Sequence, residues 1–170
     1  AVISYTLNGE RNVAGDASPS EIGWSGTAVT IGDKDIIVTA VGRMFFTDAH
    51  PVHAFLIVDA ADSSLVLSGV AVQGYDDSVD ATFEYLYLEK NNYVTLLAGK
   101  TYYFCSDHIG AADKYYDSVE VVPADDISFT GTVTLNLADN SWVYTESSNI
   151  NCFPIDFMYY IEGEEASPTD

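Results

Sequence analysis

The eight residues Ala81-Thr-Phe-Glu-Tyr-Leu-Tyr-Leu88 indicate most directly which fold this chain adopts. Phe83, Tyr85 and Tyr87 occupy every second position, and a glutamate and a leucine stand between them. Successive side chains of a β-strand point to opposite faces, so this period of two predicts a strand with one aromatic face. No window of useful length keeps a helical period between a capping box and a glycine stop.

Strand signals of the same kind recur along the rest of the chain. Further runs rich in β-branched and aromatic residues are Thr27–Ile31, Asp35–Phe46, Ala54–Asp59, Ser64–Gln73, Tyr93–Leu97, Thr101–Cys105, Tyr115–Val122, Ile127–Leu137, Ser141–Thr145 and Cys152–Ile161. Turn signals such as Gly32-Asp33 and Ala98-Gly99 separate them at intervals of roughly 8–12 residues, which is typical of sandwiches and barrels. The sequence therefore predicts an all-β fold: a two-sheet antiparallel β-sandwich, jelly-roll-like.

The length of 170 residues suits one domain. We expect residues 1–161 to form a single β-sandwich domain and residues 162–170 to form a flexible tail or linker stub. Hydrophobic residues make up 48% of the chain, which excludes a disordered chain. The longest apolar runs, such as Ile36–Val41, are far too short for a membrane span, so no membrane insertion is expected.

The charge of the chain narrows the range of partners. Asp and Glu number 26 against 6 Lys and Arg, for a formal net charge of −20. Nucleic acid is excluded as a partner, because phosphates are repelled and no basic stripe exists. Anionic lipid surfaces are disfavoured for the same reason. The acidity itself has two interpretations, which are plain solubility and adaptation to salty or Ca²⁺-rich surroundings.

Two predicted loops carry closely spaced aspartates. They supply six candidate metal ligands: Asp76, Asp77 and Asp80 in the first loop, and Asp107, Asp113 and Asp117 in and after the second. Hard cations bind several carboxylate and carbonyl oxygens, and short loops between strands supply such groups. Neither loop matches an EF-hand. A structural Ca²⁺ is one interpretation, and solvated turn acids are the other.

The two cysteines, Cys105 and Cys152, both lie in aromatic, strand-like contexts. Neither belongs to a C-x-x-C motif, so zinc is not indicated. A disulfide between them and a pair of buried thiols remain equally open interpretations.

No catalytic motif is recognisable, and we expect the chain not to be an enzyme. Gly23-Trp-Ser-Gly26 is one residue short of the nucleophile-elbow spacing. His50 and His53 are separated by Pro51, which argues against a helical metal-binding pair, so we interpret them as ordinary loop or strand-edge histidines. His108 is interpreted as part of a polar loop. Paired carboxylates of a glycosidase stay a minor alternative.

Aromatic side chains near turns and strand ends are the candidate ligand contacts. They are Trp24, Tyr75, Tyr115, Tyr116 and Trp142. Sugar-binding proteins stack the C–H faces of pyranose rings on Trp or Tyr and bind hydroxyls with polar side chains. Core packing is the competing interpretation for each, and adjacent residues such as Tyr115 and Tyr116 face opposite sides of a strand.

Three further stretches carry a resemblance to a known group of domains. They are Asp35-Ile-Ile-Val-Thr-Ala-Val-Gly-Arg43, His53-Ala-Phe-Leu-Ile-Val-Asp-Ala-Ala61 and Val94-Thr-Leu-Leu-Ala-Gly-Lys-Thr-Tyr-Tyr103, followed by Asp113-Lys-Tyr-Tyr-Asp117. The pattern resembles the β-sandwich accessory domains, similar to carbohydrate-binding modules, of bacterial secreted and cell-surface proteins. The resemblance implies a secreted or cell-surface location and a role in carbohydrate binding or adhesion. It defines no ligand, so no binding residue is carried over.

We therefore expect a non-catalytic carbohydrate-binding or adhesion module that binds a polysaccharide or glycan by aromatic stacking and polar contacts. The alternative is a structural subunit of an extracellular filament or surface layer. In that alternative the strand-like start Ala1–Thr6 pairs with a neighbour's sheet. Other modules of a larger chain, or further copies of this one, are the remaining expected partners.

Overall fold

The computed structural model describes residues 4–13, 22–45, 52–74, 82–109, 114–122, 126–136, 138–146, 149–150 and 155–163. These residues form thirteen β-strands and one 3₁₀ turn at Lys90–Asn92. The strands are β1 Ser4–Val13, β2 Ile22–Ile31, β3 Ile36–Phe45, β4 Val52–Asp59, β5 Leu65–Gln73, β6 Thr82–Tyr87, β7 Val94–Leu96, β8 Thr101–Ile109, β9 Lys114–Val122, β10 Ile127–Asn136, β11 Ser141–Glu146, β12 Asn149–Ile150 and β13 Ile155–Ile161. None of the described residues belongs to a helix long and apolar enough to cross a membrane.

Two antiparallel sheets pack face to face and confirm the predicted all-β sandwich. The six-stranded sheet has the order β11-β10-β2-β8-β4-β5, and the four-stranded sheet has the order β13-β3-β6 with β7 also paired to β3. The chain passes between the two sheets four times from β2 to β8. A separate three-stranded sheet, β1-β9-β12, was not predicted as a unit.

The core lies between the two sheets and is centred on phenylalanines. Phe104 of β8 stacks on Phe157 of β13, with ring centroids 4.2 Å apart, and Phe55 of β4 meets Phe104 edge-on at 6.5 Å. All three side chains are completely buried. Burying a side chain of this size contributes about 1.5–3 kcal/mol, so the alternating apolar residues of the facing strands hold the sheets together.

A bulge in β3 decides which of its side chains enter this core. The pairing of β13 with β3 continues on both sides of Thr39 but skips Thr39 itself. One extra residue reverses the side-chain alternation. The inward residues therefore change from Ile36 and Val38 before the bulge to Val41 and Arg43 after it.

Strand ends differ from the sequence prediction where pairing extends a strand into polar sequence. β2 begins at Ile22 rather than Thr27, and β8 continues to Ile109. Asp107 and His108 therefore lie in a strand, and their assignment to a polar loop was wrong. Backbone pairing with Trp24 and its neighbour in β2 overrides the local polarity of this segment.

The start of the chain has a partner within the same molecule. Residues 4–6 pair with residues 120–122 of β9. The filament hypothesis assigned residues 1–6 to the sheet of a neighbouring copy, whereas residues 4–6 of that segment pair within the same chain. Residues 1–3 lie outside the described residues. Residues 164–170, most of the predicted tail, lie outside the described residues.

Two hairpin turns share the same local design. Asp62 accepts hydrogen bonds from the backbone and side chain of Ser64, and Asp139 accepts the same pair from Ser141. These bonds lower the pKa of both aspartates. The residue between each pair has a positive φ, which is 63° at Ser63 and 58° at Asn140. The first turn joins β4 and β5 as a hairpin.

The matched turns yield a reciprocal stability prediction. Asn tolerates the left-handed backbone region better than Ser. We expect Ser63→Asn to raise the free energy of unfolding by about 0.5 kcal/mol and Asn140→Ser to lower it by a similar amount. Urea denaturation of the two variants measures both changes, and shifts of equal sign would contradict the argument.

Candidate functional site

The outer face of the six-stranded sheet carries small residues in its middle. Gly26 of β2 has no room for a side chain, because a Cβ there would lie 1.8 Å from the carbonyl oxygen of Phe104. Ala28, two residues on, is completely buried and pairs with Tyr103 of β8. A smooth central strip of this kind lets larger rings from the neighbouring strands lie over the sheet.

Aromatic side chains cover this strip. We call the set Trp24, Tyr103, Trp142 and Tyr144 the aromatic face. Tyr103 and Tyr144 have nearly parallel rings, with an interplanar angle of 11° and centroids 6.5 Å apart. Trp142 lies 6.3 Å from Tyr103 at a 57° tilt. Trp24 and Trp142 are partly buried against the same small cluster as Tyr103.

Tyr144 is the most exposed member of the aromatic face and is held in place. Its side chain is 42% exposed, and its hydroxyl donates to the backbone oxygen of Thr130 at 2.8 Å. Its ring covers Gly131, where a Cβ would come within 2.8 Å of Cε2. An aromatic ring laid over a glycine of a neighbouring strand stabilises a sheet edge. The ring is therefore oriented before any ligand arrives.

A groove of about 320 Å³ runs beside the two tyrosine rings. It is lined by Thr30, Ala60, Thr101, Tyr103, Thr130 and Tyr144. The hydroxyls of Thr30 and Thr101 are hydrogen-bonded to each other at 2.7 Å, and that of Thr130 donates to the Ala28 carbonyl at 3.3 Å. A hydroxyl keeps spare acceptor capacity, and a hydroxyl pair keeps one free proton. The groove thus combines flat apolar surface with uncharged polar groups.

The lysine that precedes the groove residue Thr101 is neutralised by an ion pair, and the tyrosine in the groove wall is uncharged. Lys100 precedes Thr101 and is ion-paired with Asp59, and hydrogen bonding to this carboxylate raises the pKa of Lys100. Burial, followed by the proximity of Tyr144, raises the pKa of Tyr103, so its phenol is neutral over the physiological range. The groove wall is consequently uncharged.

A second row of aromatic side chains lies on β6 in the other sheet. Phe83, Tyr85 and Tyr87 follow each other with centroid distances of 6.4 and 6.3 Å. The central Tyr85 packs against Gly42, and its hydroxyl donates to Oδ2 of the buried Asp156 at 2.5 Å. Its ring and hydroxyl are therefore committed to packing, whereas Tyr87 is 64% exposed.

His53 corrects one sequence interpretation. It is completely buried in β4 rather than in a loop or at a strand edge, and its Nδ1 lies 2.7 Å from Oδ1 of Asp107. Ser106 is adjacent, but its hydroxyl donates to the Ala54 carbonyl at 2.8 Å and accepts from Arg43. A serine bonded in this way is not activated by the histidine. This serine, histidine and aspartate form a structural network rather than a nucleophilic triad.

Of the five predicted ligand contacts, the two whose side chains are described lie together in the structure. Trp24 and Trp142 share the aromatic face. Tyr115 and Tyr116 belong to β9, but their side chains lie outside the described part of the chain, as does all of Tyr75. Those three stay predictions.

The predicted metal ligands and the cysteines are described only in part. Among the six aspartates, only Asp107 has a described side chain, and its carboxylate binds His53. Within the described residues, no group of three or more His, Cys, Asp or Glu side chains could hold a metal ion. Asp76, Asp77, Asp80 and Asp113, and the side chain of Asp117, lie outside the described residues, so a structural Ca²⁺ stays a prediction. Cys105 is completely buried, and its bond to Cys152 stays a prediction because Cys152 also lies outside them.

Sequence reasoning missed Tyr103 and Tyr144. The signal for Tyr144 was present, because Trp142 and Tyr144 stand two apart in a predicted strand and so share a face. The signal for Tyr103 was ambiguous, because Tyr102 and Tyr103 are adjacent and only one can face the core. The core takes Tyr102, which is 3% exposed.

No model of a known protein family matches the chain, and no curated protein matches it.

Loss of the Tyr85 hydroxyl tests the packing of the second aromatic row. We expect Tyr85→Phe to lower the free energy of unfolding by about 1–3 kcal/mol, because Asp156 stays buried and loses a donor. Tyr87→Phe, on the same strand face but exposed, is the control and should stay within about 0.5 kcal/mol of the parent. Chemical denaturation at neutral pH measures both, and equal effects would contradict the role of this bond.

The same variant has a pH signature. Burial, and then the bond to Asp156, raises the pKa of Tyr85 far above its ordinary value of 10.0. Because the folded state keeps this proton more tightly than the unfolded state, the stabilisation is complete below pH 10 and declines as pH rises above it. We expect stability measured from about pH 9 to pH 11 to fall less steeply in Tyr85→Phe than in the parent. Parallel curves would refute this assignment.

Proposed function

We propose that this chain is a non-catalytic carbohydrate-binding module of an extracellular protein, and that the aromatic face with its adjoining groove is the ligand site. A single observation carries the proposal. The nearly parallel rings of Tyr103 and Tyr144 border a groove whose other walls bear threonine hydroxyls. A sugar-binding site needs both flat aromatic surface and polar groups, because each pyranose ring has apolar C–H faces and a polar rim of hydroxyls.

The size and openness of the site favour modest affinity. At about 320 Å³ the groove is near the lower end of ligand pockets, which span roughly 300–1,000 Å³. Such a groove accommodates a short stretch of a glycan and leaves the rest of the polymer in solvent. Ordering of flexible hydroxyls offsets part of the contact energy, so binding is expected to be weak to moderate.

Two further features support the proposal: one favours a binding role over a catalytic one, and the other favours an extracellular location. Ser106 and His53, which have the side-chain types of a nucleophile and a base, are completely buried and committed to structural hydrogen bonds. The sequence resemblance to accessory β-sandwich domains supports an extracellular location and attachment to other modules.

Isothermal titration against a panel of plant, fungal and host polysaccharides tests the proposal. For a glycan that binds, Tyr144→Ala should weaken the affinity at least about tenfold, which corresponds to about 1.4 kcal/mol of lost stacking. Tyr144→Phe keeps the ring and should keep most of the affinity. Thermal unfolding of each variant verifies that the fold is intact.

Tyr87→Ala is the matched control, because it removes an exposed tyrosine from the outer face of the other sheet. We expect it to leave binding unchanged. A loss on Tyr87→Ala with no loss on Tyr144→Ala would move the site to the second aromatic row. No heat with any polysaccharide would refute the function itself.

A further inference from the structure

We infer that the ligands of this groove are uncharged glycans, and that the chain rejects uronate-bearing and sulfated polymers. This inference rests on the proposed function and adds the chemical class of the ligand. It is drawn from the chemistry of the groove wall, from the ion pairing of the nearest lysine and from the carboxylate that flanks Tyr144.

Among the described residues, the wall of the groove has no cationic group that would compensate an anion. Its polar groups are the hydroxyls of three threonines and two tyrosines, together with backbone atoms. Neutral hydroxyls bind sugar hydroxyls well, but a carboxylate or sulfate group requires Arg, Lys or a cluster of N–H donors to replace its water. A glycan with charged substituents would lose the hydration of its charged groups in this groove and would gain no interaction that compensates the loss.

Lys100 is the basic residue nearest to the groove in sequence, and it is occupied. Its ammonium group forms an ion pair with Asp59 and lies 5.7 Å from the ring centre of Tyr102, which belongs to the core. To reach an anionic sugar, Lys100 would have to abandon Asp59, which is only 7% exposed. Leaving that buried carboxylate unpaired is costly.

The flanking charge has the opposite sign. Glu146 follows Tyr144 by two positions in β11, so its side chain projects on the same face of the sheet, and it is exposed. It pairs with Gly131, the glycine that the Tyr144 ring covers. The whole chain carries a net charge of −20 and therefore repels anionic polymers in general. The Glu146 carboxylate adds a local repulsion beside the groove.

Matched pairs of polymers that differ in charge test the inference. Hydroxyethylcellulose with carboxymethylcellulose, and highly methyl-esterified polygalacturonate with polygalacturonate, each vary the charge on one backbone. Affinity electrophoresis at about 20 mM and about 500 mM NaCl compares them, because salt screens repulsion but leaves stacking intact. We expect a neutral polymer to bind with less than about a twofold change between the two salt concentrations. Its anionic counterpart should bind at least about tenfold more weakly at low salt and gain affinity at high salt.

Variants locate the repulsion. Glu146→Gln should raise the affinity for an anionic polymer about twofold at low salt and leave the neutral polymer unaffected. Glu89→Gln, which removes the same charge from an exposed position next to the 3₁₀ turn, is the control and should change neither. Equal effects of the two variants would contradict a local role for Glu146.

Tighter binding of the anionic member, or binding that weakens as salt rises, would overturn the inference while leaving carbohydrate binding established. Absence of binding to every polymer of either charge would refute the proposed function and this inference together. The two failures are therefore distinguishable.

Discussion

The buried guanidinium of Arg43 is the constraint on which the rest of this sandwich depends. A cation without water is costly unless hydrogen bonds surround it, and Arg43 is completely buried. Its Nη1 donates to the hydroxyl of Ser106 at 3.0 Å and to the backbone oxygen of Asp107 at 2.7 Å, both in β8 of the opposite sheet. These bonds hold β3 over β8 in one register, and the bulge at Thr39 is what turns Arg43 towards them.

β8 connects this constraint to the candidate site. Its inward residues, Phe104 and Ser106, meet the opposite sheet, and its outward residue Tyr103 belongs to the aromatic face. Because successive residues of a strand alternate between faces, fixing the inner ones also fixes the outer ring. The position of Tyr103 beside Tyr144 therefore follows from the packing of the core and from the hydrogen bonds that the buried Arg43 makes to β8.

The same packing arrangement occurs in both sheets but has a different role in each. In each, a tyrosine of an edge strand lies over a glycine of its neighbour: Tyr85 over Gly42 and Tyr144 over Gly131. The Tyr85 hydroxyl donates a hydrogen bond to the buried carboxylate of Asp156, so this tyrosine has a structural role. Tyr144 bonds a backbone oxygen, keeps its ring partly exposed and borders the groove. The surroundings of each ring, rather than the residue type, separate the structural tyrosine from the candidate ligand contact.

The sequence by itself determined the all-β class, most strand positions, the turn at Ala98-Gly99 and the acidic surface, because these follow from period-two alternation, local turn chemistry and composition. It did not determine that His53 is buried, that Asp107 lies in a strand, or that Tyr103 rather than Tyr102 faces outward. Those depend on which strands become neighbours and on the register in which they pair. Pairing partners far apart in the chain set them, and no local pattern records such partners. The aromatic face exists only in the tertiary structure, because Trp24, Tyr103 and Trp142 come from three strands that meet in one sheet.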